Sequence, residues 1–516
     1  MKEIVLDGES LSLSDLGTFL DDDVRVAACK AARERVQAGG EFCEKIARSD
    51  KAHYGVNTGF GSFANRRIDK KSLGQLQKNL LRSHATGMGH DLPDDIVRLM
   101  MLLRVNSLLR GFSGVSLAIV DHLLAFINGG VIPSVPEYGS VGASGDLAPL
   151  AHMALPLIGE GAVCVDGERM DGAAALSALG LEPLDLKPKE GLALINGTQF
   201  MSAYAVRELR RCRRNIAAGV IAAAMSIEAY EATDAMFDER IHALKGHPGQ
   251  IQVAAAFRDV LATSEIVASH RDCDRVQDPY SFRCAPQVYG AVLDTVYWAE
   301  EWVTREINAV TDNPLLFVDE EDVVSGGNFH GEHMAIALDA LAIAHSELGS
   351  ISERRTDKLL DNDSKKLPQC LIRDPGLNSG LMVTQYLAAS LVSENKVYAH
   401  PASVDSIPTS AGFEDHVSMG SISALKLAKI SSNVQKILAV ELVCAAQALD
   451  YHRPLKAGRG TEVAHAFIRG RVPFIEQDSV LSDHLQTVEA VVSDGSLVRE
   501  VERATGTALL DRRREE

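Results

Sequence analysis

Five long segments, at 200–235, 285–310, 331–354, 376–398 and 415–449, are rich in Ala, Leu and Ile and contain no proline except Pro286 near the start of one. Runs of that length without a breaker read as helices, and they must bury their apolar faces against one another. In the last of them Ile430, Val434, Ile437, Leu438 and Leu442 follow the i, i+4, i+7, i+8 rhythm of a buried helix stripe. Many of these segments carry alanine and other small residues on more than one face, which suggests burial against other subunits. The expected fold is mainly α. An elongated long-helix bundle core is joined to an N-terminal domain of mixed loops and helices. The chain divides accordingly into 1–200, the central bundle 201–450, and shorter helices over 451–516. At 516 residues it exceeds the size at which a single core usually stops growing.

The flanking regions are less regular. Ile4-Val5-Leu6 reads as extended, and Asp21-Asp22-Asp23 before Val24 reads as the acidic start of a helix. Helical patterns cover Leu73–Leu81 and, as one or two buried helices, residues 95–129. Short β-like pieces and glycine turns fill 162–190, and the charged tail Asp511–Glu516 is expected to be solvated. A net charge of −18 argues against nucleic acid or an anionic membrane as the main partner. Eight cysteines without a CxxC pair favour reduced thiols. The start Met1-Lys2-Glu3-Ile4 has no basic-then-apolar signal pattern, and no uninterrupted apolar run reaches bilayer length. A soluble, cytoplasmic protein is the expectation.

The chemistry is carried by the loops that punctuate the helices. Tyr138–Gly161 reads YGSVGASGDLAPLAHMALPLIGEG, with Ala143-Ser144-Gly145 at its centre. Three small residues allow a sharp bend, because glycine tolerates otherwise strained dihedrals. Such a bend can bring the Gly145 amide nitrogen against the Ala143 carbonyl carbon. Ring closure and loss of two waters, one taking the Ser144 hydroxyl, would leave a methylidene group conjugated to an imidazolone, an electrophile that no ordinary side chain supplies. Alone, the tripeptide is equally compatible with Ser144 or Asp146 capping the helix that follows. Elsewhere, Tyr54-Gly55-Val56-Asn57-Thr58-Gly59-Phe60-Gly61 has three glycines in eight residues and reads as an ordered loop headed by a tyrosine. His84 ends an apolar helix, where a histidine commonly serves as a C-terminal cation. Asn196-Gly197 is a turn signal whose amide could also meet a substrate. His330-x-x-His333 has metal-like spacing, but without an HExxH pattern or a nearby cysteine no metal is expected.

Taken together, these motifs resemble the aromatic amino-acid ammonia-lyases and aminomutases that build a methylidene-imidazolone (MIO) group. YGVNTGFG, SHATG, GASGDLAPLAHM, INGTQ, QDPYSFR, DNPL, SGGNFHGE and EDHVSMG stand in that family's order over nearly the whole chain. The resemblance implies that Ala143-Ser144-Gly145 is the precursor of 4-methylidene-imidazol-5-one, with Asp146 keeping a capping role and no metal or diffusible cofactor required. Within the family the chain is most similar to the histidine ammonia-lyases. Ser83-His84 stands where the phenylalanine and tyrosine enzymes carry Phe-Leu or His-Leu, and Glu414 stands where they usually carry glutamine. An imidazole has polar atoms for such partners, and a phenyl ring would leave them unpaired. The sequence departs from the family at Phe413, where glutamine is usual, and at Gly412, where asparagine is.

The implied reaction converts L-histidine to urocanate and ammonia, the first step of histidine degradation. The electrophile captures the substrate through its amino nitrogen, with attack by the ring carbon as the rival route. Tyr54 is the expected base for the β-proton, and its phenolate needs stabilising because an ordinary tyrosine titrates near 10. Backbone amides with Asn196 stabilise negative charge on the ring, and Arg283 grips the carboxylate. Tyr280 and Gln277 orient substrate and cofactor, Phe329 packs beside the reacting atoms, and His84 with Glu414 holds the imidazole. The resemblance also implies a homotetramer whose active sites take loops from three subunits. A phenylalanine or tyrosine ammonia-lyase, an MIO-dependent aminomutase, and a catalytically silent helical scaffold remain as alternatives.

Overall fold

The long proline-free segments are helices in the computed structural model, spanning Gln199–Ala229, Ala285–Glu306, Glu332–Leu360, Met382–Tyr398 and Gly420–Asp450. The stripe Ile430, Val434, Ile437, Leu438 and Leu442 is fully buried, as its spacing requires. Helices dominate the chain, and the fold class is mainly α. Residues 2–271, 273, 275–361 and 366–510 are described, apart from the side chain of Ser62. The tail Asp511–Glu516 lies outside the described residues.

Two compact units emerge. One consists of Met1–Arg207, Glu300–Asp339 and Pro401–Leu425, the other of Glu208–Ala299, Ala340–His400 and Lys426–Glu516. The expected consecutive regions 1–200, 201–450 and 451–516 do not coincide with these units. The helices Gln199–Ala229, Ala285–Glu306, Glu332–Leu360 and Gly420–Asp450 each contribute a stretch to both, so each unit is assembled from separated parts of the chain.

In the first unit Lys2–Leu6 pairs in parallel with Val24–Ala28, placing Ile4 opposite Val26. This corrects the reading of Asp21-Asp22-Asp23 as a helix start. The helix lies before the acidic run, at Leu13–Asp21, and opens with a capping box between Ser12 and Asp15. Val24 and Val26 alternate with exposed Arg25, a period of two that suits a half-buried strand. Residues 95–129 form two helices, Asp94–Leu108 and Leu117–Asn128. The pieces within 162–190 include the antiparallel strands Ala162–Val165 and Glu168–Asp171.

In the second unit the Arg355 guanidinium donates to both Glu441 oxygens, from Nε at 2.5 Å and Nη2 at 2.8 Å, with both side chains fully buried. Ser226 and Ser352 also donate to that carboxylate, at 2.8 and 2.6 Å, so the buried charge is hydrogen-bonded on several sides. The helix Glu332–Leu360 is long and apolar enough over one window to match a bilayer. Its role here is internal: Gly349 faces Ile437 and Val434 closely, and Arg355 makes the buried pair just described.

The first unit has its own buried pair, which ties two sequence motifs together. Lys189 Nζ donates to Asp312 Oδ2 at 2.6 Å with neither side chain exposed. Asp312 Oδ1 accepts from the Asn313 amide at 2.7 Å and from Asn196 Nδ2 at 3.3 Å. Removing the lysine leaves a buried carboxylate without its cation. Lys189→Met is expected to cost about 3–5 kcal/mol, read as a lowered midpoint in equilibrium denaturation.

Candidate active site

A cavity of about 770 Å³ in the first unit collects six of the residues singled out from the sequence: Tyr54, His84, Ser144, Asn196, Phe329 and Glu414. Its wall begins with the turn at residues 142–146. Gly142, Ser144 and Gly145 all have positive φ, at 79°, 51° and 78°. The Gly145 amide donates back to the Gly142 carbonyl at 3.3 Å, and the Asp146 amide donates to the Gly197 carbonyl at 2.7 Å. A Cβ on Gly145 would stand 2.1 Å from that same Gly197 oxygen, so no other residue fits without moving the backbone. Ala143 is buried against Val417 and Met419.

Asp146 does not cap the helix that follows it. It occupies the position before Leu147–Ala154 but makes no side-chain bond there. Its Oδ2 instead accepts from the Phe200 and Met201 amides, at 3.0 and 3.1 Å, in the first turn of Gln199–Ala229. The capping role expected of it therefore belongs to a helix some fifty residues onward, as the 54- and 55-residue separations record. Burial pushes the Asp146 carboxyl up to about 8, against the two amides that favour its charge.

Asn196 follows the short helix Glu190–Ile195 and is held from behind. Its carbonyl accepts from Arg104 Nη1 at 2.8 Å, and its Nδ2 is spent on Asp312 and the Asn313 carbonyl, at 3.3 and 3.2 Å. Its Oδ1 is buried without a partner. Arg104, also fully buried, is lowered to about 10 by desolvation, which Asp312 partly offsets. Arg104 and Lys189 escaped the sequence reading. Arg104 lies within the apolar helix Asp94–Leu108 and Lys189 just before Glu190–Ile195, and their acid, Asp312, is more than a hundred residues away in the chain, so no local signal marks either.

Tyr54 Oη accepts a hydrogen bond from the Gly61 amide at 3.3 Å. That donor favours a phenolate, yet burial and the neighbouring Glu414 carboxylate hold the hydroxyl above the ordinary tyrosine value. The first unit by itself thus opposes the ionisation that a base would need.

His84 closes the helix Leu73–His84, and its ring is not a simple C-terminal cation. Nδ1 lies 2.9 Å from the Leu80 carbonyl, which can only accept, so Nδ1 carries the proton and Nε2 keeps its lone pair. Burial lowers the pKa of this histidine, the Leu80 carbonyl and Glu414 acting the other way. Glu414 is anchored by Thr409 Oγ1 at 2.7 Å on Oε2 and by Ser144 Oγ at 3.0 Å on Oε1. Thr409 was not anticipated; it sits five residues before the carboxylate, in a bridge with it that depends on the turn at 410–412. Ser410, Ala411 and Gly412 have φ of 50°, 54° and 85°. Gly412 therefore occupies a left-handed position that asparagine also tolerates, which accounts for the exchange at that site. Phe413 is 64% exposed and lines the cavity rather than bonding to Glu414.

Gln277, Tyr280 and Arg283 belong to the second unit and are absent from the cavity wall. Tyr280 is 71% exposed, and the Arg283 guanidinium carbon lies 4.4 Å from its ring centroid. The Arg283 Nε has no hydrogen-bond partner.

Residues 11–470 match the family described as aromatic amino acid lyase. A histidine ammonia-lyase of Gloeobacter violaceus is 50% identical over 504 residues, covering 98% of this chain and 98% of that protein. A second, from Idiomarina loihiensis, is 47% identical and covers 96% and 98%. The crystal structure of histidine ammonia-lyase from Trypanosoma cruzi is similar at a TM-score of 0.88 and 41% identity, over 97% of this chain and 95% of that one. A tyrosine aminomutase from Streptomyces globisporus has a TM-score of 0.93 at 35% identity, over 98% and 100%.

If burial and Glu414 set the Tyr54 ionisation, the phenolate absorbance missing from Tyr54→Phe should develop above pH 10, beyond the ordinary tyrosine midpoint of about 10. Glu414→Gln removes a neighbouring negative charge, so the same titration should move to lower pH. An unchanged midpoint would show that Glu414 does not act on Tyr54.

Proposed function

This chain belongs to the aromatic amino acid lyase family, and on that premise we propose that it removes ammonia from L-histidine without oxidation, yielding urocanate. The observation that carries the substrate is the pair of hydrogen-bond acceptors in the cavity. His84 presents the lone pair of Nε2, and Glu414 presents a carboxylate whose Oε2 is held in place by Thr409. Each can accept an imidazole N–H, and the two together suit a protonated ring, which has one donor for each. A phenyl ring would bury both acceptors without a donor, and a phenol has one hydroxyl for the two, a mismatch that buried polar sites penalise strongly.

Ala143, Ser144 and Gly145 would themselves become the 4-methylidene-imidazol-5-one group, which supplies an electrophile for the substrate. The fit is favourable. The turn already holds Ser144 and Gly145 in the left-handed region, and the Gly197 carbonyl leaves no room for a side chain at residue 145. Asp146 and the Gly197 carbonyl keep the turn bent, and Asn196 stands beside it on the cavity wall.

Tyr54 would take the β-proton at its phenolate oxygen. Because its folded-state pKa is raised, the deprotonated fraction is small at neutral pH and grows as pH rises, so the base limb of the rate should climb through the alkaline range. A cation beside Tyr54 would counter this. Arg283, with its unpartnered Nε and exposed neighbour Tyr280, is suited to serve the carboxylate of a substrate held by another copy of the chain. Gln277 would accompany it, and Phe329 would pack beside the ring. A homotetramer with shared sites, working in the cytoplasm, is the assembly this reading requires. The helix Met382–Tyr398 offers an unpartnered apolar face for it, with Val383, Tyr386 and Val397 between 57% and 72% exposed.

Parallel incubation with L-histidine, L-phenylalanine and L-tyrosine tests the reading. Urocanate from histidine alone is expected, and Ser144→Ala should abolish it while the helical circular dichroism persists. Cinnamate, coumarate or a β-amino acid as the main product would overturn the substrate, and full activity in Ser144→Ala would overturn the chemistry.

A further inference from the structure

The spacing His330-x-x-His333 invites a two-histidine metal motif, and the fold separates the pair. The His333 ring lies edge-on to Trp302, their centroids 5.0 Å apart. His330 instead meets Glu332, two residues on, and His416, from the loop that follows Glu414. One ligand-capable atom from each of these three lies within 4.8 Å of the others.

Their hydrogen bonding decides which atoms are available. His330 Nε2 is 3.3 Å from the His416 carbonyl oxygen. A carbonyl only accepts, so the proton belongs on Nε2, and Nδ1 of the neutral ring is a lone pair. That lone pair stands 3.8 Å from Glu332 Oε2. The carboxylate oxygen is itself shut away from solvent with no hydrogen-bond partner. Two electron-rich atoms facing each other in this way call for a cation between them. Two bonds of about 2.1 Å can bridge such a gap, and the exposed His416 ring is free to turn inward as a third ligand. The bond from His330 Nε2 to a backbone carbonyl is also the contact that metal-bound histidines ordinarily make with their second nitrogen.

We propose that His330, Glu332 and His416 form a binding site for one divalent transition ion of the zinc or cobalt class. Two imidazoles and one carboxylate suit such an ion, whereas magnesium or calcium would demand an all-oxygen shell. A water completes the fourth position. The ion acts as a clasp. Phe329 precedes one ligand, and Glu414 stands two residues before another, so ligation joins the two loops that carry these cavity residues. The site is independent of the deamination proposed above and takes no part in its chemistry.

The test uses untagged, chelator-stripped full-length protein titrated with Co²⁺. Visible d–d absorption saturating at one ion per chain is expected, with Zn²⁺ displacing it. His330→Ala and His416→Gln should each weaken binding by roughly tenfold or more, while His333→Ala binds as the parent does. Because His416 is exposed, His416→Gln keeps the fold intact and remains informative if His330→Ala does not fold. Two results overturn the proposal: no saturable Co²⁺ signal, which leaves the His330–Glu332 pair sharing a proton only, or binding in His416→Gln equal to that of the parent.

Discussion

The turn at residues 142–146 depends on one buried junction. The Gly197 carbonyl accepts from the Asp146 amide, and the Asp146 side chain accepts from the Phe200 and Met201 amides. One residue thereby joins the bent turn to a tight Asn-Gly step and to the start of a 31-residue helix. The three partners have unsatisfied groups that no other neighbour supplies. The helix has free N–H groups in its first turn, Gly197 has a carbonyl, and the turn needs a fixed exit. Desolvation opposes the carboxylate, which is why its pKa is raised even with two amide donors. A loop held this firmly can keep Ser144 and Gly145 in left-handed conformations that would otherwise relax.

Around that junction the cavity divides its tasks by chemistry. The buried Lys189–Asp312 pair and Arg104 hold Asn196 from behind, so its backbone and Nδ2 are committed before any substrate arrives. His84 and Glu414 offer acceptors in front. The departure from the family at Phe413 does not loosen Glu414, because Thr409 holds its Oε2 and Phe413 turns to the cavity and solvent. Tyr54 is the exception to this order, since its surroundings in the first unit disfavour the phenolate. The Gly61 amide is the contact there that favours the phenolate, and Arg66 stands on the same cavity wall.

Much of this was legible in the sequence wherever the signal is local. Long helices follow from period and the lack of proline, and residues 54–61 form a loop because glycine-rich stretches do not hold helices. Six of the residues named for the site line one cavity. Misreadings arose where a distant partner decides. Asp21-Asp22-Asp23 looks like a helix start until Lys2–Leu6 is seen to recruit Val24–Ala28 as a strand. Asp146 looks like a cap for its own helix, yet the amides of another lie within reach. His330 and His333 share a spacing but not a neighbourhood, since Trp302 draws one ring and His416 meets the other. Thr409, Lys189 and Arg104 were invisible for the same reason: each matters through a residue that only the folded chain brings near.

The central claim is that residues 143–145 become an electrophile by closing on themselves, and it has a direct mass signature. In a digest of the purified protein, the peptide spanning Ser140–His152 should weigh less than its sequence mass by two waters, and the same peptide from Ser144→Ala should not show that loss. A wild-type peptide of full sequence mass would contradict the account, however well the cavity suits an imidazole.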